Sequence, residues 1–187
     1  GGFVGQASYG TTVNYCSNSG NVTVWLYVAG IVGSMSYNSS IIGCFNSGKI
    51  SAPSTCAAGI VANLGKDCKV VACYNTGNIN AGGNYPAGIV GYCDKAEVRN
   101  CFNVGNVTCN TTFTYGAVIG TVSNADAVIK NLYYLDGTCL KGGIGSVKNE
   151  EAQKAAAVSA ETLVTQDFLT NINAGLEEAA FKLGCAG

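Results

Sequence analysis

The sequence repeats itself, and that constrains its fold more than any other feature. Gly2-Phe3-Val4-Gly5 returns as Gly30-Ile31-Val32-Gly33, Gly59-Ile60-Val61-Ala62, Gly88-Ile89-Val90-Gly91 and Ala117-Val118-Ile119-Gly120, at offsets of 28, 29, 29 and 29 residues. A second block keeps phase with the first. It reads Cys16-Ser17-Asn18-Ser19-Gly20-Asn21-Val22, Cys44-Phe45-Asn46-Ser47-Gly48-Lys49-Ile50, Cys73-Tyr74-Asn75-Thr76-Gly77-Asn78-Ile79 and Cys101-Phe102-Asn103-Val104-Gly105-Asn106-Val107. The fifth copy is worn down to Leu132-Tyr133-Tyr134-Leu135-Asp136-Gly137.

A period of this length, punctuated by Gly and Asn and filled with β-branched residues, predicts one solenoid coil per repeat. The expected fold is all-β: a parallel β-solenoid (β-helix) of five coils of about 28 residues, with three short strands per coil. The first strand is the Gly-Ile-Val-Gly block, the second leads into the cysteine, as in Lys69 to Cys73, and the third follows the Asn-x-Gly turn, as in Asn78-Ile79-Asn80. Right-handed coiling follows from the general preference of parallel crossovers. The character changes near Ser146. Residues 1–48 carry no Asp, Glu, Lys or Arg, whereas the last 41 carry nine charges. From Ala152 the apolar spacing turns helical, with Ser159 as an N-cap, Gly175 dividing two short helices and Gly184 as a stop. Residues 1–145 therefore read as the repeat domain and 146–187 as a C-terminal α-helical cap over its open end.

Only 11% of the residues are charged and the net charge is −1, so no basic field exists for nucleic acid. Histidine is absent, which excludes a Ser-His-Asp or Cys-His device built within this chain. No apolar run is long enough for a membrane span. The chain opens in the middle of a repeat, so it reads as a piece of a longer protein, and missing targeting signals say nothing about its location.

Stacking turns each repeat position into a column with a spacing of about 4.8 Å. Cys16, Cys44, Cys73 and Cys101 form one such column. Parallel side chains do not converge as a disulfide needs, so these cysteines are expected to be reduced, inward-facing filler. No Cys-x-x-Cys pair suggests zinc, and no cofactor is implied. Asn18, Asn46, Asn75 and Asn103 predict an asparagine ladder, with a polar ligand strip as the alternative. Phe45, Tyr74, Phe102 and Tyr133 form an aromatic column with two readings, glue at a corner or an outward strip that stacks on sugars or a protein. Cys56, Cys68, Cys93, Cys109, Cys139 and Cys185 are irregular, and Cys109 with Cys139 offers a disulfide across adjacent coils. So many unpaired thiols suit an anaerobic habitat. Asp94, Lys95, Glu97 and Arg99 form a charged patch, read as a solvated turn or as acid–base groups. The sequons at Asn21, Asn38, Asn106 and Asn110 follow from composition.

The two blocks together resemble the GLUG-motif repeat of bacterial surface proteins, named for a Gly-Leu-hydrophobic-Gly signature followed by an Asn-Cys-Tyr-Asn-x-Gly-x-Val phrase. The matching residues are Gly30 to Gly33 with Cys44 to Ile50, Gly88 to Gly91 with Cys101 to Val107, and their equivalents. The segment from Glu161 to Gly175 resembles the helical stretch that follows such arrays. Ala62 for the last glycine, Ser17 for the aromatic and Leu132 for the cysteine depart from the pattern. The resemblance implies a secreted or surface-anchored, extracellular, non-catalytic structural or adhesion module; a monomer is expected. Its partner would be a host or bacterial surface protein or a glycan. The alternatives are a glycan-binding or carbohydrate-processing β-helix, and an accessory domain of a secreted protease such as the IgA-specific metallopeptidases.

Overall fold

The computed structural model describes residues 1–53, 56–109 and 113–182. Cys185, Gly184 and the sequon at Asn110 lie outside them.

The chain coils into stacked parallel sheets, as the repeat predicts. The first sheet stacks Val4–Ala7, Val32–Met35, Val61–Leu64, Val90–Cys93 and Ile119–Val122 in that order. Each strand starts two residues into its Gly-Ile-Val-Gly block. The third sheet stacks Val22–Thr23, Ile50–Ala52, Ile79–Ala81 and Val107–Cys109. Equivalent residues pair in register, with Val32 facing Val61 and Val61 facing Val90. The first sheet has five rows and the third four, giving about four complete turns rather than five coils. In the fifth coil the third strand gives way to a turn at Gly137 (φ 78°), and only the Thr138 carbonyl accepts from Val107 N.

The second sheet corrects one expectation. In the first three coils the strand leading into the cysteine stops short of it, whereas in the fourth Glu97–Asn103 runs through Cys101. Ser40–Ile42 and Phe45–Asn46 are separate strands of one sheet, as are Lys69–Val71 and Tyr74–Asn75. Between them stands one left-handed residue per coil: Tyr15 (φ 53°), Gly43 (φ 63°), Ala72 (φ 54°), Asn100 (φ 55°) and Asn131 (φ 50°). This conformation is costly for a side-chain-bearing residue. It recurs because the kink turns the chain while the strands on both sides stay paired to the neighbouring coils. A fourth, minimal strand pairs Val28–Ala29 with Ala57–Ala58 and continues as single bridges at Ala87 and Gly116.

Val, Ile and Leu side chains fill the lumen. Ile31, Ile60, Ile89 and Val118 form one fully buried column, and Val32, Val61, Val90 and Ile119 another. The motif's first glycine is a contact residue. A Cβ on Gly59 would meet the Gly88 carbonyl and lie 2.5 Å from Asn75 Oδ1, and one on Gly30 or Gly88 would strike Asn46 or Asn103. The two sequence blocks are thus the two halves of one contact.

The end of the solenoid is closed, but not by helix. Val118 N and Val122 N donate to the Gly143 and Ser146 carbonyls at 2.8 Å, so residues 142–146 add a row to the first sheet. Ala156–Val158 pairs with Tyr133–Leu135 and adds one to the second. Hydrogen bonding therefore continues across residue 146. Ile144, Val147 and Ala155 pack on the core. Gln153, 3% exposed, donates to the Asn124 carbonyl at 2.8 Å and accepts from Lys148 N and Asn149 N. Two helices follow, α1 (Ala160–Leu163), N-capped by Ser159, and α2 (Gln166–Asn173), N-capped by Thr165. The break between them falls at Val164 and Thr165, and Gly175 (φ 77°) comes after α2. These helices lie along the flank of the second sheet. Asn100 Nδ2 donates to the Ile172 and Ala174 carbonyls at 2.7 and 3.0 Å, and Asn131 Nδ2 to Ala174 at 3.1 Å. The left-handed asparagines of the kink column thereby satisfy the carbonyls at the end of α2.

Candidate functional site

The asparagine column is a continuous ladder. Asn18 Nδ2 donates to Asn46 Oδ1, Asn46 Nδ2 to Asn75 Oδ1 and Asn75 Nδ2 to Asn103 Oδ1, each at 2.7 Å. The other proton of each amide serves its own turn, on the carbonyls of Gly20, Gly48, Gly77 and Gly105 at 2.7–2.8 Å. Asn46, Asn75 and Asn103 are fully buried. Asn46 and Asn75, with both amide protons engaged and no solvent access, have nothing to offer a ligand.

Cys44, Cys73 and Cys101 are likewise fully buried thiols among the lumen side chains, with Cys16 half-buried at the first coil. Burial and the neighbouring Cys101 thiol push the Cys73 thiol far up, and contact with the Cys73 thiol together with burial does the same to Cys44. Cys56 and Cys93 are pushed up to about 12, chiefly by burial. Such thiols stay protonated and make poor nucleophiles. Cys109 and Cys139 both carry thiols and are not joined to each other. They flank Tyr115 beside an Asn-rich groove of about 390 Å³ on the third sheet, between Asn78, Asn106 and Thr138.

The aromatic column faces outward, as one of its two readings required, but it is not an open strip. Phe45, Tyr74 and Phe102 stack at 4.9 and 5.2 Å with their planes within 6° of parallel. Phe168 of α2 packs edge-on against Phe102 and Tyr133 at 6.0 and 5.3 Å, and Phe181 against Phe102 and Tyr74 at 5.3 and 6.3 Å. The chain's own C-terminal segment occupies the face a sugar or protein would need.

The charged patch is bound up in itself. Arg99 Nε donates to Glu97 Oε1 at 2.7 Å, Lys69 Nζ stands 3.7 Å from the other Glu97 oxygen, and Lys95 Nζ contacts Asp126 at 3.0 Å. Lys69–Glu97 and Lys95–Asp126 link adjacent coils, whereas Glu97 and Arg99 share the strand Glu97–Asn103, so this part of the patch lies on a strand face rather than on a turn. Among the described residues no three His, Cys, Asp or Glu side chains gather to hold a metal ion, and no helix is long and apolar enough to cross a membrane.

Another concave surface lies on the outside of the first sheet. Register stacks Gln6, Ser34, Asn63, Tyr92 and Thr121 in one column, with Ser34, Asn63 and Tyr92 partly exposed between buried neighbours. Asn63 Nδ2 donates to Ser34 Oγ at 3.0 Å, which fixes its amide. The segment before each first-strand glycine forms the opposite wall. It supplies Leu26 and Tyr27 from one coil and Asn84 and Tyr85 two coils on, with Cys56 buried at the floor. The cleft encloses about 300 Å³. Tyr85 and Tyr92 stand with ring centres 6.0 Å apart and planes at 52°, a V rather than a stack. Glycine makes the approach feasible: a Cβ on Gly91 would lie 2.7 Å from Cys56 Sγ and 3.0 Å from the Tyr85 carbonyl. Tyr27 and Tyr85 are themselves left-handed (φ 43° and 67°), held by paired backbone such as Tyr85 N to the Thr114 carbonyl at 2.8 Å.

Sequence reasoning missed this cleft. Its signal was present: Tyr27, Cys56 and Tyr85 share one repeat position, three residues before the glycine. The cysteine interrupts the pattern, and Tyr92 comes from another strand. No family model, no curated protein and no solved structure matches the chain.

Proposed function

We propose that this chain is a non-catalytic adhesion module, displayed outside a bacterial cell, in which a rigid solenoid holds a recognition surface away from its anchor. The GLUG-like repeat grammar favours the setting. The observation that carries the reading is the cleft on the first sheet: an uncharged, aromatic recess built on the most regularly paired face of the molecule. Isolated exposed apolar residues are ordinary, but rings gathered around a concavity mark a binding surface. The setting is also compatible with the thiols, because burial rather than disulfide bonding keeps most of them from reacting. The test is adhesion. Beads coated with the folded chain are expected to bind bacterial or epithelial cell surfaces, and beads coated with a Tyr92→Ala, Tyr85→Ala chain are expected to lose most of that binding. Equal retention of both kinds of bead would refute the reading.

A further inference from the structure

The geometry points to a neutral saccharide as the ligand of the Tyr27–Tyr85–Tyr92 cleft. This inference rests on the adhesion reading and names its chemistry. A sugar ring presents two kinds of surface, C–H faces that pack on aromatic rings and hydroxyls that need hydrogen-bond partners at the edge. The cleft supplies both. Tyr85 and Tyr92 are splayed at 52° with centres 6.0 Å apart, so neither ring lies flat on the other. Around them, among the described residues, no hydrogen bond engages the hydroxyls of Tyr27, Tyr85 or Tyr92 or the exposed Asn84 amide, while the Asn63 amide below is oriented by Ser34. About 300 Å³ is at the small end of ligand sites, room for a monosaccharide or the terminal unit of a chain.

Charge narrows the class. Among the described residues no Lys, Arg, Asp or Glu lines the cleft. An acidic sugar would lose hydration on entry without gaining a cation, and a purely aliphatic ligand would leave the amides and phenols unpaired. A neutral, polyhydroxylated ring avoids both losses. Preorganisation adds to this, because the rings sit on a paired sheet and on backbone fixed in a left-handed conformation, so little is lost in ordering them.

The experiment is saturation-transfer NMR and calorimetry of the folded chain with neutral hexose and N-acetylhexosamine oligosaccharides, with uronic and sialic acid sugars beside them. A neutral sugar is expected to bind, with Tyr92→Ala weakening it by about tenfold or more as an aromatic anchor should, and Tyr92→Phe losing only about threefold because stacking survives. Val164→Ala, on α1's exposed end, leaves affinity unchanged, and thermal melts confirm that every variant folds. Preferential binding of acidic sugars, or neutral binding indifferent to Tyr92→Ala, would overturn the inference. Cell adhesion before and after enzymatic removal of surface glycans separates the two levels. Adhesion that survives deglycosylation refutes the saccharide and leaves the adhesion module standing, whereas absence of adhesion to any surface refutes the module itself.

Discussion

At the scale of single residues, the structure turns two sequence motifs into one contact. The first glycine of the Gly-Ile-Val-Gly block is there because the asparagine of the neighbouring block lies against it. The pairing is visible even in its loss: the fifth coil replaces glycine by Ala117 and, at the position in register with Asn103, asparagine by Tyr134. Space, rather than backbone freedom, sets the requirement, since Gly59 is not in a left-handed conformation. Gly59→Ala must displace the Gly88 carbonyl or Asn75 and is expected to cost about 1–3 kcal/mol in urea denaturation, the usual cost of overpacking. Gly5→Ala, at the block's last glycine in the first coil with nothing within 4 Å, serves as the neutral control. The ladder itself was legible in the sequence, because parallel stacking puts identical amides in register whatever the coil's shape. The kink column was not. Tyr15, Gly43, Ala72, Asn100 and Asn131 share a left-handed conformation but no side-chain chemistry, so composition carries no trace of it.

At the scale of elements, the solenoid strands and the C-terminal helices answer different demands. Strands of two to four residues, as most of these are, hold because in the inner coils they are paired on both sides, whereas α1 and α2 are too short to be helical alone and depend on what they dock to. What they dock to is the aromatic column. Phe168 is 6% exposed and meets both Phe102 and Tyr133, while Asn100 and Asn131 hold the helix end. The Ser159 N-cap and the helices after it were readable, but not where helix begins: the spacing put it at Ala152, whereas Ala156–Val158 is a strand and α1 starts at Ala160. The docking face was not, since the same apolar stripe would suit the open end of the solenoid or its flank. Hydrogen bonding decides it: residues 142–158 already add rows to two sheets and close the end, leaving the helices to cover the outward rings. Phe168→Ala should therefore loosen the helices without melting the coils. The expected loss is about 3 kcal/mol of local stability, read as amide exchange in α2 faster by about a hundredfold with exchange in the first sheet unchanged. Equal acceleration in both would show instead that helix and coils form one cooperative unit.

At the scale of the whole molecule, the chain is a stack in which each coil contacts chiefly its neighbours. Stability is then shared along the axis through the paired sheets, the apolar lumen and one line of buried amides. That line is what makes the coils identical in register, because a slip of one residue would point each amide out of the ladder. The proposed function occupies a different face. The lumen, the ladder and the roofed aromatics serve the fold, and the outer column of the first sheet carries the cleft. Repetition in the sequence reveals the former, since structural positions recur in every coil. A binding surface need occur only once, so the repeat pattern hides it. The most direct measurement is hydrogen exchange of the asparagine side-chain amides in the nitrogen-15-labelled protein. The ladder predicts that the Asn46, Asn75 and Asn103 amide protons are protected to nearly the extent of the core backbone, while those of the exposed Asn84 and Asn106 exchange at the solvent rate. Solvent-rate exchange at all five would mean that no buried ladder exists and that the coils do not stack in this register.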